Sequence, residues 1–484
     1  MIKVKPFLVS AALSFTLTTA NASAQQHNKN ELPEIGAAGS SILSIDKERV
    51  VGDAMMRQLR ATQPLLNDPV MNEYINDLGN RLVNNAQDVN YKFRFFIINN
   101  SELNAFAFFG GHVGVHSGLI TTADNESELA SVLAHEVSHV TQRHLARRLE
   151  AQSKSQPITM AGMLGSVLLT LVNPTVGMAA LSTTIAASQQ AGINYTRGNE
   201  KEADRVGIAL LVNSNFDPMG APSFFVKMSE KYRYKSKPPA MLLTHPLPDS
   251  RISDARLRAQ NYPRIQLPPS LAFELTKSRI KARYQSNAKD NVTYYQNLIN
   301  KQQYVLKPAA EYGLALSYFA NKQTTKAKGI LESLLKSDTK NLFYVDALTD
   351  VYLELKLFDN AITMLSELNL LMPNNQVVAL NYANALQQAE KYAKAEEVLQ
   401  DFLLVKPGHL IAYDLLNQVY RKSGKTALMH TSKAEVYALL GAYPKAIDEL
   451  QTGYNFADDK PLIRKRIKAR IIQFEDQQEK LKRL

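Results

Sequence analysis

Cysteine is missing from all 484 residues, which excludes disulfide bracing, thiolate ligation of a metal and cysteine nucleophiles together. Long apolar runs are missing too. Between Lys154 and Arg197 there is no charged residue, yet Asn173-Pro174 divides this interval into pieces shorter than the ~20 residues that cross a bilayer. Residues 155–190 therefore read as a helical hairpin that is buried, covers a cleft or touches a membrane surface, rather than as a span. With 45% hydrophobic and 21% charged residues the chain has the make-up of a globular protein, and its length calls for two or more folded units.

Lys3 and Lys5 precede an apolar run that ends at Ala22-Ser23-Ala24, a small-x-small cleavage signature. Residues 1–24 are accordingly expected to be a secretory signal peptide. The formal net charge of +11, or about +9 once Lys3 and Lys5 are removed (11 − 2), suits an anionic lipid surface or an acidic partner. Nucleic acid is not an expected partner of an exported chain. The basic residues concentrate in Pro461 to Leu484, where they alternate with Ile463, Ile467, Ile471 and Ile472, as on the solvated face of a closing helix.

Past residue 265 a repeat emerges. Tyr284, Tyr318, Tyr352, Leu386 and Tyr420 follow at intervals of 34, with Ala327, Ala361 and Ala395 nine residues after three of them, and Pro373 and Pro407 at the same period. This is the tetratricopeptide (TPR) pattern, in which a ring on the first helix meets a small residue where the second crosses closely. Residues 270–484 are thus expected to stack into an α-helical superhelix with a concave, protein-binding groove. Tyr437 and Ala446 keep the nine-residue spacing but arrive only 17 residues after Tyr420, so irregular packing is expected from there on.

The chemistry lies earlier, in "LASVLAHEVSHVTQRHLARR". Leu129, Val132, Leu133, Val137 and Val140 recur at helical spacing, and Asn125 with Glu128 makes an N-cap, which predicts a helix from about residue 126. On it His135 and His139 project from one face, about 6 Å apart along the axis, where two neutral imidazoles can share one metal ion. Glu136 is placed to take a proton from an attacking water. His144, five residues beyond His139, points to a different face and is not expected to ligate. In "RGNEKEADRVGIALL" Glu200 and Asp204 stand one turn apart, so Glu200 can supply a carboxylate oxygen to the metal and Asp204 can orient His135 or His139.

These residues, His135, Glu136, His139, Glu200, Ala203 and Asp204, resemble the HExxH and ExxxD signature of the M48-type zinc metalloproteases, with prenyl-protein endopeptidases among their members. The likeness extends over "NAFAFFGGHVGVHSGLI" and "THPLPDSRI", about residues 45 to 260. It implies a mainly α fold: a zincin-like helical metalloprotease domain with a small β-sheet over residues 45–265, then the TPR superhelix. One Zn²⁺ per chain is implied, held by His135, His139 and Glu200, with Glu136 as general base. The strand Gly111, His112, Val113, Gly114 and Val115 is expected to offer an unpaired edge to an extended substrate, with His112 and His116 at surface positions. His245 is left with three readings: a fourth ligand that latches the enzyme, a transition-state stabiliser, or a structural loop contact. A signal peptide in front and repeats behind make the implied setting the periplasm. The implied partners are unfolded or stalled outer-membrane β-barrel proteins and, through the TPR groove, the β-barrel assembly machinery. The alternative is a chaperone or assembly factor whose protease site is largely silent.

Overall fold

A computed structural model describes residues 43–155, 189–233, 240–458 and 460–482. The expected signal peptide and nearly all of the 155–190 interval lie outside the described residues. Among the described residues no helix is long and apolar enough to cross a membrane.

Helix α1 (Ile45–Thr62) starts where the Ser44 hydroxyl accepts the Lys47 N–H. Helix α2 (Pro69–Val83) starts on Asp68, whose Oδ1 accepts the Met71 N–H, with proline at its first turn. A three-stranded sheet follows, built from β1 (Arg94–Ile98), β2 (Ala105–Phe108) and β3 (His112–His116). Gly110 and Gly111, at φ +76° and +78°, make the reversal from β2 to β3 in a region that side chains disfavour.

The strand order is β1-β3-β2, with β3 parallel to β1 and antiparallel to β2. This overturns the expectation of an open edge at Gly111–Val115: β3 is the central strand, and its main-chain groups are taken on both sides. His112 and His116 are buried, not at the surface: His112 stacks on Phe108 and its Nε2 lies 3.3 Å from Asp53. The outer edge of β1 is covered as well. Leu65 bridges Ile98, and the Asn76 amide both donates to the Phe95 carbonyl and accepts its N–H.

After α3 (Ser117–Thr122) comes α4 (Glu126–Thr141), capped by Asn125 as its sequence predicts. Helix α5 (His144–Ser155) follows a reversal at Arg143, which sits at φ 52°. Helix α6 (Gln189–Asn213) runs against α4. Gly207 permits this approach, since a Cβ there would lie 3.2 Å from the main-chain nitrogen of His135. Helices α7 (Gly220–Tyr232), α8 (Ala240–Thr244) and α9 (Asp249–Gln260) complete the layer around α4.

From Leu271 the chain is a series of antiparallel helices, among them the pairs 307–320 with 324–337, 342–354 with 358–371, 376–388 with 392–405 and 410–422 with 426–439. Ala327, Ala361 and Ala395 are fully buried on the second helix of three pairs, where the close crossing requires them. At the slip of period no helix is lost. Tyr437 lies on the second helix of one pair, and the buried Ala446 lies on the next helix, Tyr443–Asn455, so the motif changes phase by half a unit while the stacking continues. A separate small core of Ala434, Tyr443, Ala446, Leu450, Ile467 and Phe474 serves this end.

One apolar core runs from Leu66 of the first half to Tyr420 of the repeats. Within it Arg279 is wholly buried, its Nε donating to Asp68 (2.6 Å), its Nη2 to Asp346 (2.5 Å) and its Nη1 to the Tyr312 hydroxyl (2.7 Å). Asp68 thus caps α2 with one oxygen and anchors the repeats with the other. Further along, Asn375 bonds Glu73, Gln376 bonds the Pro69 carbonyl, and the Arg57 guanidinium lies over the Tyr443 ring. The repeats therefore grip the first half at three separated places.

Candidate metal centre

Helix α4 delivers His135 and His139 to one face, α6 delivers Glu200, and the segment after α8 delivers His245. One donor atom from each of these four lies within 4.8 Å of all the others. His135 Nε2 is 3.0 Å from His139 Nε2 and 3.3 Å from Glu200 Oε2, and His139 Nε2 is 3.3 Å from Glu200 Oε1. His245 Nδ1 approaches Glu200 Oε1 to 3.0 Å and His135 Nε2 to 3.4 Å. Donors of a tetrahedral ion bound at the usual 2.0–2.1 Å stand about 3.3 Å apart, so the set fits such an ion. Glu136 lies beside the set, buried. Its Oε1 has no hydrogen-bond partner and is 3.5 Å from His245 Nε2.

The rings are held from behind. His135 Nδ1 is 3.0 Å from Asp204 Oδ1, an ion-pair approach without hydrogen-bond alignment, so of the two ligand-helix histidines it is His135 that Asp204 stands behind. Arg251 in turn grips Asp204 through Nε and Nη2, each at 2.7 Å, and reaches Glu200 with Nη1 at 2.8 Å. His139 has its Nδ1 2.9 Å from His144 Nδ1, while His144 Nε2 is 3.0 Å from Glu202. Val132, Phe225, Met228, Met241 and Leu247 form an apolar wall beside His135 and His245, which keeps the local dielectric low.

Burial opposes ionisation of Glu200, but His245 and His139 outweigh it and hold its carboxyl well below the usual range. Burial pushes His139 down to about 3, leaving a neutral imidazole with a free lone pair. Ionised carboxylate and neutral imidazole are the forms that bind a metal. At His135 burial also acts downward, yet Asp204 and Glu200 overcome it and raise the ring to about 10. A metal held by His135 would have to displace the proton that these two carboxylates favour there.

The structure brings His135, His139 and Glu200 together, as their spacing leads one to expect, with Glu136 beside them, and adds His245, for which the sequence leaves three readings open. It does not bring Gly111–Val115 to this cluster as an edge. Two contributors were not legible: Arg251, inside "THPLPDSRI" but without a readable role, and His144, read only as an unsuitable ligand. Spacing alone signals neither, because each acts from outside the motif helix that it supports.

Comparison with known proteins gives a consistent family. The model of peptidase family M48 matches residues 69–259. The β-barrel assembly-enhancing protease of Escherichia coli K12 is 40% identical over 99% of this chain and 98% of its own length. The protein of the same name from Yersinia pestis is 43% identical over 86% of each chain. The mitochondrial metalloendopeptidase OMA1 of Schizosaccharomyces pombe is 26% identical over 37% of this chain and half of its own.

Proposed function

This chain belongs to peptidase family M48, and we propose that it is a periplasmic zinc endopeptidase that cuts unfolded or stalled outer-membrane β-barrel proteins and aids their assembly. That it is a metalloprotease follows from the family. The convergence of His135, His139, Glu200 and His245 beside Glu136, whose Oε1 makes no hydrogen bond, carries the proposal.

In this reading His135, His139 and Glu200 hold one zinc ion, and Asp204 fixes the His135 ring. A bound zinc ion supplies Lewis acidity, which lowers the pKa of a water and polarises a carbonyl. Glu136 takes the proton of the attacking water and returns it to the departing amine. The names of the Escherichia coli and Yersinia pestis relatives support an envelope substrate, and the expected signal peptide supports the periplasm. Stacked helix pairs of this repeat suit the capture of a protein partner such as the assembly machinery.

Metal analysis tests the centre. The purified protein is expected to hold about one zinc per chain, as a closed set of protein ligands requires, and Glu200→Ala to hold almost none. Zinc retained in full by Glu200→Ala would rule out this ligand set.

His245 Nδ1 stands 3.0 Å from Glu200 Oε1 and 3.4 Å from His135 Nε2, the spacing expected of a fourth donor, which favours the latch among its readings: a fourth protein ligand occupies the position that water or substrate needs. His245→Ala is expected to cleave an unfolded, casein-like substrate several-fold faster. Collapse of activity would point instead to a role in the transition state.

A further inference from the structure

We infer that His144 is a positioning residue for the metal centre: it accepts the Nδ1 proton of His139, and so fixes both the tautomer and the ring plane of that ligand. The inference rests on the metal-centre reading above.

The proton assignments leave one solution. His139 turns Nε2 toward His135 and Glu200, so a ligating lone pair there requires the ring hydrogen on Nδ1. A buried N–H needs an acceptor, and the group opposite this one is His144 Nδ1, at 2.9 Å. His144 must then carry its own hydrogen on Nε2. That atom faces Glu202 Oε2 at 3.0 Å, a carboxylate that can only accept when ionised. Arg147 Nη2 donates to the same Glu202 oxygen at 2.9 Å, which keeps it charged. Each donor from His139 to Glu202 has an acceptor, in one direction.

The chain has been bent to place His144 here. Helix α4 stops at Gln142, and Arg143 adopts φ 52°, which turns α5 back behind the ligand helix. The Arg143 guanidinium is buried on Glu48 and on the Leu43 carbonyl, 95 and 100 residues away in sequence, so the turn is pinned by packing. The His139 and His144 rings meet edge to face, 4.8 Å apart at 78°. His144 is 4% exposed, so water does not readily replace it as the acceptor. His135 is backed directly by a carboxylate and His139 by an imidazole that relays to one. The two ligands thus receive the same service by different means.

The test compares His144→Leu, which removes the acceptor, with His144→Asn, whose amide oxygen can stand near the place of Nδ1. Zinc affinity is read by competition with a chromophoric chelator, and ligand geometry by the visible absorption of the cobalt(II)-loaded protein. His144→Leu is expected to bind zinc about 10–100-fold more weakly and to shift the cobalt bands, and His144→Asn to recover most of both. Parent-like affinity in His144→Leu, or an asparagine variant as weak as the leucine one, overturns the inference while leaving the metal centre standing. A parent that binds neither ion overturns both. If His144→Leu does not fold, Glu202→Ala, at the solvent end of the relay, takes its place. A several-fold loss of affinity is then expected, and no change overturns the relay.

Discussion

Glu136→Gln should keep its zinc and lose nearly all peptide-bond cleavage, a fall on the order of 10²–10⁴-fold, the usual contribution of a general base. The two side chains have the same shape, and Glu136 is not one of the four residues whose donor atoms converge. What the amide cannot do is accept a proton from water. Burial makes the loss severe, because no solvent base reaches a position that is 1% exposed. The check is a cleavage assay on an unfolded substrate beside metal analysis of the same preparation. Full activity, or loss of zinc, would remove Glu136 from its assigned role. The same variant separates cutting from holding: if Glu136→Gln still rescued the envelope defect of a deletion strain, capture by the repeats would be the dominant activity.

Arg279→Met should have the largest effect on stability, a loss of about 3–5 kcal/mol, as expected when one partner of a buried ion cluster is removed. Methionine fills much the same space, so the cost is electrostatic. Asp68 and Asp346 would remain in the core without the guanidinium that both share. The pH dependence has a definite sign. In the parent, burial tends to raise the Asp68 carboxyl, but Arg279 and Arg283 prevail and hold it below its ordinary value. A depressed carboxyl contributes stability above its unfolded pKa and loses that contribution only as pH falls toward the folded value, below about pH 4. Without Arg279 burial dominates and the folded value rises above the unfolded one. The variant's deficit is then full at neutral pH and shrinks as acid protonates Asp68. Calorimetric unfolding of both proteins at pH 7 and pH 5 should show the gap in midpoint narrowing at the lower pH. A gap that widens would count against the argument. The remaining charged or titratable neighbours, Tyr284, Tyr312, Arg283 and Asp350, are unchanged in both proteins.

What could be read from the sequence divides by range. His135, Glu136 and His139 share a face because a helix repeats every 3.6 residues, and Glu200 with Asp204 obeys the same rule. The alanines at intervals of 34 fix the helix crossings for a similar reason. Each is a local consequence of period. By contrast, the position of β3 in the middle of the sheet depends on β1, fourteen or more residues away, and a strand's own letters do not say how many neighbours it has. The burial of His112 and His116 follows from that central position and is not legible in the strand itself. The roles of His144 and Arg251 depend on a left-handed turn pinned from Glu48 and on a helix that returns after residue 249. Neither is encoded as a pattern.

The three grips between the repeats and the first half, at Arg279 with Asp68, at Asn375 and Gln376 with α2, and at Tyr443 with Arg57, join the superhelix to the first half along its length and not through a single linker. If the repeats capture the substrate, as proposed, they hold it beside a blade fixed to the same core. The stretch of polypeptide spared between the clamp and the cut is then a length written into the fold, as on a gauge, and not the reach of a loose tether.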